Sequence, residues 1–426
     1  MLHSDRRTIL PGVRLRCIQT DQFRSGYFSL SLLRPLDEGE AAKNALLMNV
    51  LRRGTRTLPD MEKLAEALDE LYGASVEPVL RQMGETMAIG FSAAFPDDRY
   101  LPRGEAVLEK LIDLTGELLL DPATHGGLLN AAYVTSERVN LRDRIQAVVN
   151  DKRSYALMRL RALMCAEEPY GVYPLGTAES AEKITNLTLT KHYKTVLATS
   201  PVELFYCGSA EPERVALAVQ RAFRALPGGE ERAIPEPIPK NDCGETRYVT
   251  EYLDVEQGNL AIGFRLGESM DRPDYPALAV FNELYGGGPS SRLFREVREA
   301  RSLCYHAGAG IERYKGLMTV MAGIAFESYD EALEAILLEL GRCAQGDFTD
   351  QELETARISV ASSYRMAQDE PSSLCGFHLG QDLLGVGGDL RQYAALALEV
   401  TAEDVRRVAR SAKPDLVYFL RREAAQ

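Results

Sequence analysis

The chain has 426 residues, of which 45% are hydrophobic, and its 62 acidic and 49 basic side chains give a formal net charge of −13. This length predicts two or three domains with sizeable cores, and the acidic excess argues against a general binder of nucleic acid or anionic membrane. The seven cysteines are odd in number and contain no CxxC pair, and no apolar run is long enough for a signal peptide or a membrane span. Together these features predict a cytoplasmic protein that does not bind membranes.

The first half of the chain shows a regular order of elements. Alternating and helical hydrophobic patterns predict a strand, two helices, two strands and then further helices. The corresponding residues are 27–33, 41–51, 61–71, 75–81, 86–93, 101–120 and 133–163.

The second half repeats this order. The same patterns predict elements over 259–264, 275–284, 290–300, 307–312, 317–325, 329–343 and 350–367. Thr349 and Glu352 form a capping-box pattern that predicts the start of the last of these helices. Landmark residues recur after 233 residues, or after 232 at the final pair: Asn49 and Asn282, Gly54 and Gly287, Tyr72 and Tyr305, Gly84 and Gly316.

This repetition predicts a duplicated α+β protein. The stretch 226–244 begins with several prolines and glycines, which is typical of an exposed linker. The predicted domains are therefore 1–225 and 245–426, with 226–244 as the linker between them.

The histidines are too widely spaced for a helical zinc motif. No two of them lie three or four residues apart; they are His3, His125, His192, His306 and His378. This spacing excludes HExxH and HxxEH sites, which place two imidazoles on one face of a helix.

Residues 286–305, GGGPSSRLFREVREARSLCY, resemble the C-terminal signature of the M16 metallopeptidases, the family of pitrilysin, insulinase and mitochondrial processing peptidase. That signature combines a glycine-rich turn, SSRLF, and an Arg and a Tyr seven residues apart, here Arg298 and Tyr305. The resemblance extends over nearly the whole chain. It implies two homologous domains of the LuxS/MPP-like type that form a clamshell.

In active members of this family, an HxxEH helix just before a Gly-Thr pair binds zinc together with a distal Glu. The two histidine positions correspond here to Ala45 and Asn49, the general base to Met48, and the distal ligand to Arg144 or its neighbour Asp143. An Ala side chain cannot bind a metal, a thioether cannot accept the water proton, and a guanidinium repels a cation. The resemblance therefore implies that this chain has no metal or other cofactor and does not hydrolyse peptides alone.

The Arg/Tyr pair is intact. In the family, the Tyr hydroxyl donates to the developing oxyanion and the Arg holds the substrate backbone. The chain resembles the non-catalytic members of paired bacterial M16 peptidases, a group whose naming links it to 5-aminopentanol modification of elongation factor P. The resemblance implies a peptide substrate and a heterodimer with an HxxEH-bearing M16 chain, with zinc only in that partner, or else a homodimer.

Several alternatives remain open from the sequence. The residues Gly286, Gly287 and Gly288 either end a helix with close packing or bind substrate through free backbone N–H groups. Arg298 and Tyr305 could be structural residues, and Cys304 with His306 could form a dyad. The whole chain could instead be a structural or peptide-binding module, as in respiratory-complex core subunits, or a zinc endopeptidase with non-standard ligands.

Overall fold

The computed structural model describes residues 3–102, 104–227, 233–234, 243–267 and 275–423. The chain divides into two compact units, Met1–Gln146 with Val172–Pro235, and Ala147–Gly171 with Glu236–Gln426. Most of the predicted linker 226–244 lies outside the described residues.

The described residues up to 227 form eight strands and eight helices. In chain order they are β1 (His3–Leu10), β2 (Val13–Gln19), β3 (Ser25–Pro35), α1 (Glu38–Leu51), α2 (Met61–Glu70), β4 (Ser75–Met83), β5 (Thr86–Pro96), α3 (Val107–Leu120), β6 (Thr124–His125), β7 (Leu128–Leu129), α4 (Ala131–Ala147), α5 (Lys152–Met164), α6 (Ala178–Glu182), α7 (Asn186–Thr199), β8 (Val202–Gly208) and α8 (Pro212–Phe223). The main sheet has the strand order β1-β2-β8-β3-β5-β4.

The described residues after 243 form the second sheet and its helices. They are β9 (Arg247–Tyr252), β10 (Gly258–Arg265), α9 (Tyr275–Asn282), β11 (Cys304–Glu312), β12 (Leu317–Ile324), α10 (Tyr329–Gln345), α11 (Asp350–Ala367), α12 (Pro371–Leu384), α13 (Leu390–Glu399), α14 (Ala402–Ser411) and β13 (Lys413–Arg421). Two π-helical segments, Glu283–Gly287 and Leu293–Ala300, follow α9. The sheet order is β11-β12-β10-β13-β9.

The two sheets share one topology. The run β2-β8-β3-β5-β4 corresponds to β9-β13-β10-β12-β11, and both runs begin with a parallel pair and continue antiparallel. The hairpin glycines Gly84 and Gly316 both adopt left-handed backbone angles, with φ of 58° and 61°, a conformation that glycine adopts without strain. The α+β fold and the duplication are confirmed.

The predicted helix over 133–163 is interrupted. A single 3₁₀ turn, Val148–Asn150, separates α4 from α5, and the Asp151 side chain caps α5 by accepting from the backbone N–H groups of Arg153 and Ser154. A capping carboxylate starts a new helix because it satisfies N–H groups that have no partner within the helix.

Helix α5 groups with the second unit, although the predicted boundaries placed it in the first domain. Its apolar side chains, among them Ala156 and Leu160, pack with Ala261 and Tyr418 of the second sheet. Helix α5 therefore belongs to the second unit because of where its apolar face packs, although it lies in the first half of the sequence.

Buried charges fix the segment after α5 to the same sheet. Glu168 pairs with Arg265 at 2.7 Å and with Lys315 at 2.9 Å, and Arg265 also pairs with Asp415 at 2.7 Å. Burial opposes ionisation of Glu168, but the hydrogen bonds from Lys315 and Arg265 hold its pKa below the usual value.

The capping box at the start of α11 is confirmed, since the Thr349 side chain accepts from the Glu352 backbone and the Glu352 side chain accepts from the Thr349 backbone.

In the described part of the chain, no helix combines the length and apolar character needed to cross a bilayer.

Candidate functional site

The positions that correspond to the zinc motif lie on α1. Ala45 and Met48 are buried and belong to the apolar core of the first unit. The Asn49 amide donates to the backbone carbonyl of Ala45 at 2.9 Å, one turn earlier in the same helix. Packing and a local hydrogen bond therefore account for all three side chains.

The candidate distal ligand on α4 is also unsuited to a metal. Arg144 is exposed, and the exposed Asp143 pairs with its neighbour Arg142 at 2.8 Å. Another α4 carboxylate, that of Glu137, pairs with Arg53, which follows the end of α1, at 3.0 Å. Across the described residues, no group of three or more His, Cys, Asp and Glu side chains could hold a metal ion, so the residues present do not fit zinc.

Metal analysis tests this conclusion. We expect the isolated chain, after dialysis against zinc and then buffer, to retain less than about 0.1 zinc per chain, because a zinc site needs three or four protein ligands. Elemental mass spectrometry of the tag-free chain measures this ratio. One zinc per chain would contradict the assignment of Ala45, Met48 and Asn49 as non-ligands.

The glycine-rich turn packs closely against the second sheet. A Cβ at Gly286 would lie 2.7 Å from the Cβ and backbone N of Ala309, and a Cβ at Gly287 would lie 2.5 Å from Oε2 of Glu283. Gly288 likewise faces Glu283, at 2.9 Å from Oε1. Close packing against Ala309 accounts for Gly286, whereas the nearest atoms to Gly287 and Gly288 belong to the flexible end of the Glu283 side chain. The role of the three glycines in substrate binding stays a prediction.

Arg298 and Tyr305 lie on neighbouring elements of the second unit. The guanidinium of Arg298, on the segment Leu293–Ala300, stacks on the Phe294 ring with its Cζ 4.4 Å from the ring centroid. Tyr305 lies at the start of β11, where the pairing with β12 shifts register between Cys304 and His306. The extra residue in this β-bulge is Tyr305, and its side chain is 68% exposed.

Neither Arg298 nor Tyr305 makes an ion pair or a hydrogen bond that a ligand would have to replace. Among the described residues, the Arg298 guanidinium has no ion-pair partner and the Tyr305 hydroxyl has no hydrogen-bond partner. Tyr72, which the 233-residue offset relates to Tyr305, differs locally, because it precedes β4 with a left-handed φ of 60°. Both groups of the Arg/Tyr pair therefore retain hydrogen-bonding capacity that the described residues do not use.

Cys304 and His306 lack the properties of a catalytic dyad. Burial raises the pKa of the Cys304 thiol to about 11, and Arg298 only partly opposes this shift. Burial, Arg153 and Arg298 together lower the pKa of His306. A neutral thiol is a poor nucleophile, so the structure argues against the dyad.

Thiol titration tests this conclusion. Of the seven cysteines, six are buried and only Cys243 is half-exposed. We expect Ellman's reagent at neutral pH to modify one thiol quickly in the native chain and all seven in denaturant, because buried thiols are inert. The variant Cys304→Ser should leave the number of quickly modified thiols unchanged. A smaller number in that variant would show that Cys304 is reactive.

Arg292, within the SSRLF stretch, has a structural role that the sequence did not indicate. It is buried and pairs with Glu339 at 2.8 Å and with Glu352 at 3.3 Å. These partners lie 47 and 60 residues further along the chain, so no local pattern could have identified them.

The chain is 33% identical to the protein named "Probable inactive metalloprotease YmfF" of Bacillus subtilis (strain 168), over 413 residues that cover 96% of each chain. The chain belongs to the M16 peptidase family. Residues 183–360 match the family description "Peptidase M16 inactive domain".

Solved structures agree with the M16 fold. A conserved protein from Enterococcus faecalis V583 superposes with a TM-score of 0.92 at 24% identity, covering 99% of each chain. A peptidase M16 inactive domain from Pseudomonas fluorescens superposes with a TM-score of 0.81 at 18% identity, covering 100% of each chain. Within the M16 family the chain is an inactive homologue, as the match to the inactive-domain description and the likeness to YmfF indicate.

Proposed function

We propose that this chain is the non-catalytic subunit of a two-chain M16 peptidase. It supplies Arg298 and Tyr305, while an HxxEH-bearing M16 partner supplies zinc and the general base. The observation that carries the proposal is an asymmetry between the two units. The metal positions Ala45 and Met48 lie in an apolar core, whereas in the described residues neither Arg298 nor Tyr305 has an ion-pair or hydrogen-bond partner.

The partner's zinc would activate a water molecule and polarise the scissile carbonyl. The hydroxyl of Tyr305 donates a hydrogen bond to the oxyanion that forms at this carbonyl, and removing such a donor costs about 10²–10³ in kcat. The guanidinium of Arg298 holds a substrate carbonyl with its paired N–H donors. Its stacking on Phe294 restricts the side chain before substrate binds.

The partner in this proposal is a different chain. A homodimer would contain two Arg/Tyr pairs and no HxxEH helix, so it would lack a zinc-activated water. The proposal also includes a peptide substrate, action in the cytoplasm, and the association with 5-aminopentanol modification of elongation factor P that the family resemblance implies.

Reconstitution tests the proposal. The purified chain and an HxxEH-bearing M16 chain of the same organism are assayed separately and as an equimolar mixture with a quenched-fluorescent peptide library. We expect no cleavage by this chain alone and a rate for the mixture about 10²-fold or more above that of the partner alone.

The matched control replaces the Glu of the partner's HxxEH motif by Gln and should abolish cleavage. A mixture no more active than the partner alone would contradict the proposal and favour a structural or peptide-binding role.

A further inference from the structure

β9 is an outer strand of the second sheet in the described part of the chain, at the end opposite β11. In the first sheet the corresponding strand, β2, is not at the edge, because β1 pairs with it in antiparallel orientation. The position that β1 occupies beside β2 therefore has no counterpart beside β9 among the described residues. A strand from another molecule can occupy such a position.

Three residues of β9 direct their backbone groups away from the sheet. The N–H of Leu253, which follows β9, donates to the carbonyl of Arg421 on β13 at 3.0 Å. Alternate residues of a strand direct their N–H and C=O groups to the same side. The backbone groups of Tyr248, Thr250 and Tyr252 therefore point to the open edge.

The side chains of these three residues are exposed as well. The other face of β9 is covered by α5, since Val249 packs against the apolar residues of α5 and Glu251 accepts from Arg159 at 2.9 Å. The three outward-directed residues lie on the opposite face, where the two tyrosines are 63% and 54% exposed. Both the edge and one face of β9 are therefore accessible to another chain.

The other outer strands of the two large sheets carry features that oppose pairing between edges. The pairing of β1 with β2 shifts register between Thr8 and Leu10. The pairing of β11 with β12 shifts between Cys304 and His306, and β4 contains Pro78. Bulges and prolines protect exposed edges from pairing. β9 contains no proline and pairs with β13 along its whole length without a shift, so it lacks both kinds of protection.

The outward-directed residues of β9 are arranged symmetrically, with Tyr248 and Tyr252 on either side of Thr250. An antiparallel pairing of two copies about a two-fold axis at Thr250 places each Tyr248 opposite the second copy's Tyr252. The same axis places the two Thr250 residues opposite each other. Aromatic pairs and Thr–Thr pairs are both favourable across strands, so the strand is complementary to itself.

We infer that β9 pairs with β9 of a second copy of this chain and joins the two second sheets into one continuous sheet. β11, which carries Tyr305, lies at the opposite end of the sheet order, so this contact leaves it uncovered. In the proposed peptidase, the contact joins two heterodimers. The inference does not depend on that proposal, because no residue of the Arg/Tyr pair takes part in it.

Sedimentation velocity of the full chain over about 1–300 µM tests the inference. A contact through one six-residue strand is small, so we expect a weak dimer with a Kd of about 10 µM. A chain that stays monomeric over the whole range would overturn the inference.

Charge substitutions at the axis test which surface forms the dimer. Thr250→Lys and Thr250→Glu should each raise the Kd about 10-fold or more, because the two-fold axis places like charges opposite each other. An equimolar mixture of the two variants should associate about as tightly as the wild-type chain, since the opposed charges then have opposite signs. Mixing would not restore association if the substitutions only disturbed the strand.

Thr195→Lys is the matched control, because Thr195 is an exposed threonine of α7 in the first unit and the change in charge is the same. Its Kd should equal that of the wild-type chain. Thermal unfolding checks that all the variants remain folded. An unchanged Kd in Thr250→Lys, or no recovery in the mixture, would show that the copies do not pair at Thr250 and would contradict the inference.

Discussion

Tyr305→Phe in this chain should lower the kcat of the reconstituted mixture by about 10²–10³-fold and leave KM nearly unchanged. The substitution removes only a hydroxyl, and that hydroxyl has no hydrogen-bond partner within the described residues. A donor that acts on the oxyanion contributes to the transition state and little to the bound substrate, so its loss appears in kcat. Steady-state kinetics at a saturating concentration of the partner measures kcat and KM separately.

Tyr72→Phe provides the matched control. Tyr72 is the exposed tyrosine that the 233-residue offset relates to Tyr305, and it lies in the unit without the Arg/Tyr pair. We expect wild-type kcat in that variant. A rise in KM with unchanged kcat for Tyr305→Phe would mean that Tyr305 binds substrate only, and equal losses in both variants would exclude a specific role.

Arg292→Ala should destabilise the second unit by about 3 kcal/mol, the lower end of the range for breaking a buried ion pair, because its buried partner loses one of two arginines. The partner here is Glu339, whose side chain is 1% exposed and which also pairs with Arg342 at 2.8 Å. Urea unfolding monitored by circular dichroism measures the free energy of unfolding.

Arg295→Ala is the control for Arg292, because Arg295 pairs with Glu352 at 3.0 Å but is 46% exposed. Exposed pairs contribute about 0–1 kcal/mol. The apolar double variant Arg292→Met/Glu339→Leu should recover most of the lost stability, since it removes both buried charges together. Equal effects of Arg292→Ala and Arg295→Ala would contradict a structural role for the buried pair.

Local patterns predicted much of the fold. The strand–helix–helix–strand–strand order of each half follows from apolar periodicity, and the start of α11 follows from its capping box. The membership of α5 could not be predicted this way, because it depends on tertiary contacts of Ala156 and Leu160 with residues of the second sheet that lie far away in the sequence. The interruption at Asp151 was also missed, since helical periodicity continues on both sides of it.

The candidate site was partly visible in the sequence. The family pattern identified Arg298 and Tyr305, but the bulge at Tyr305 depends on pairing with β12 and has no local signal. Arg292 appeared only as part of a motif, although its burial and ion pairs give it a structural role.

The most direct test of the central claim is the kcat of the mixture as the double variant Arg298→Ala/Tyr305→Phe progressively replaces the wild-type chain at constant total concentration. Gel filtration first checks that the double variant still associates with the partner. If the two chains each supply part of one active site, kcat falls in proportion to the replaced fraction and reaches the level of the partner alone. A kcat that stays constant across the series would contradict it.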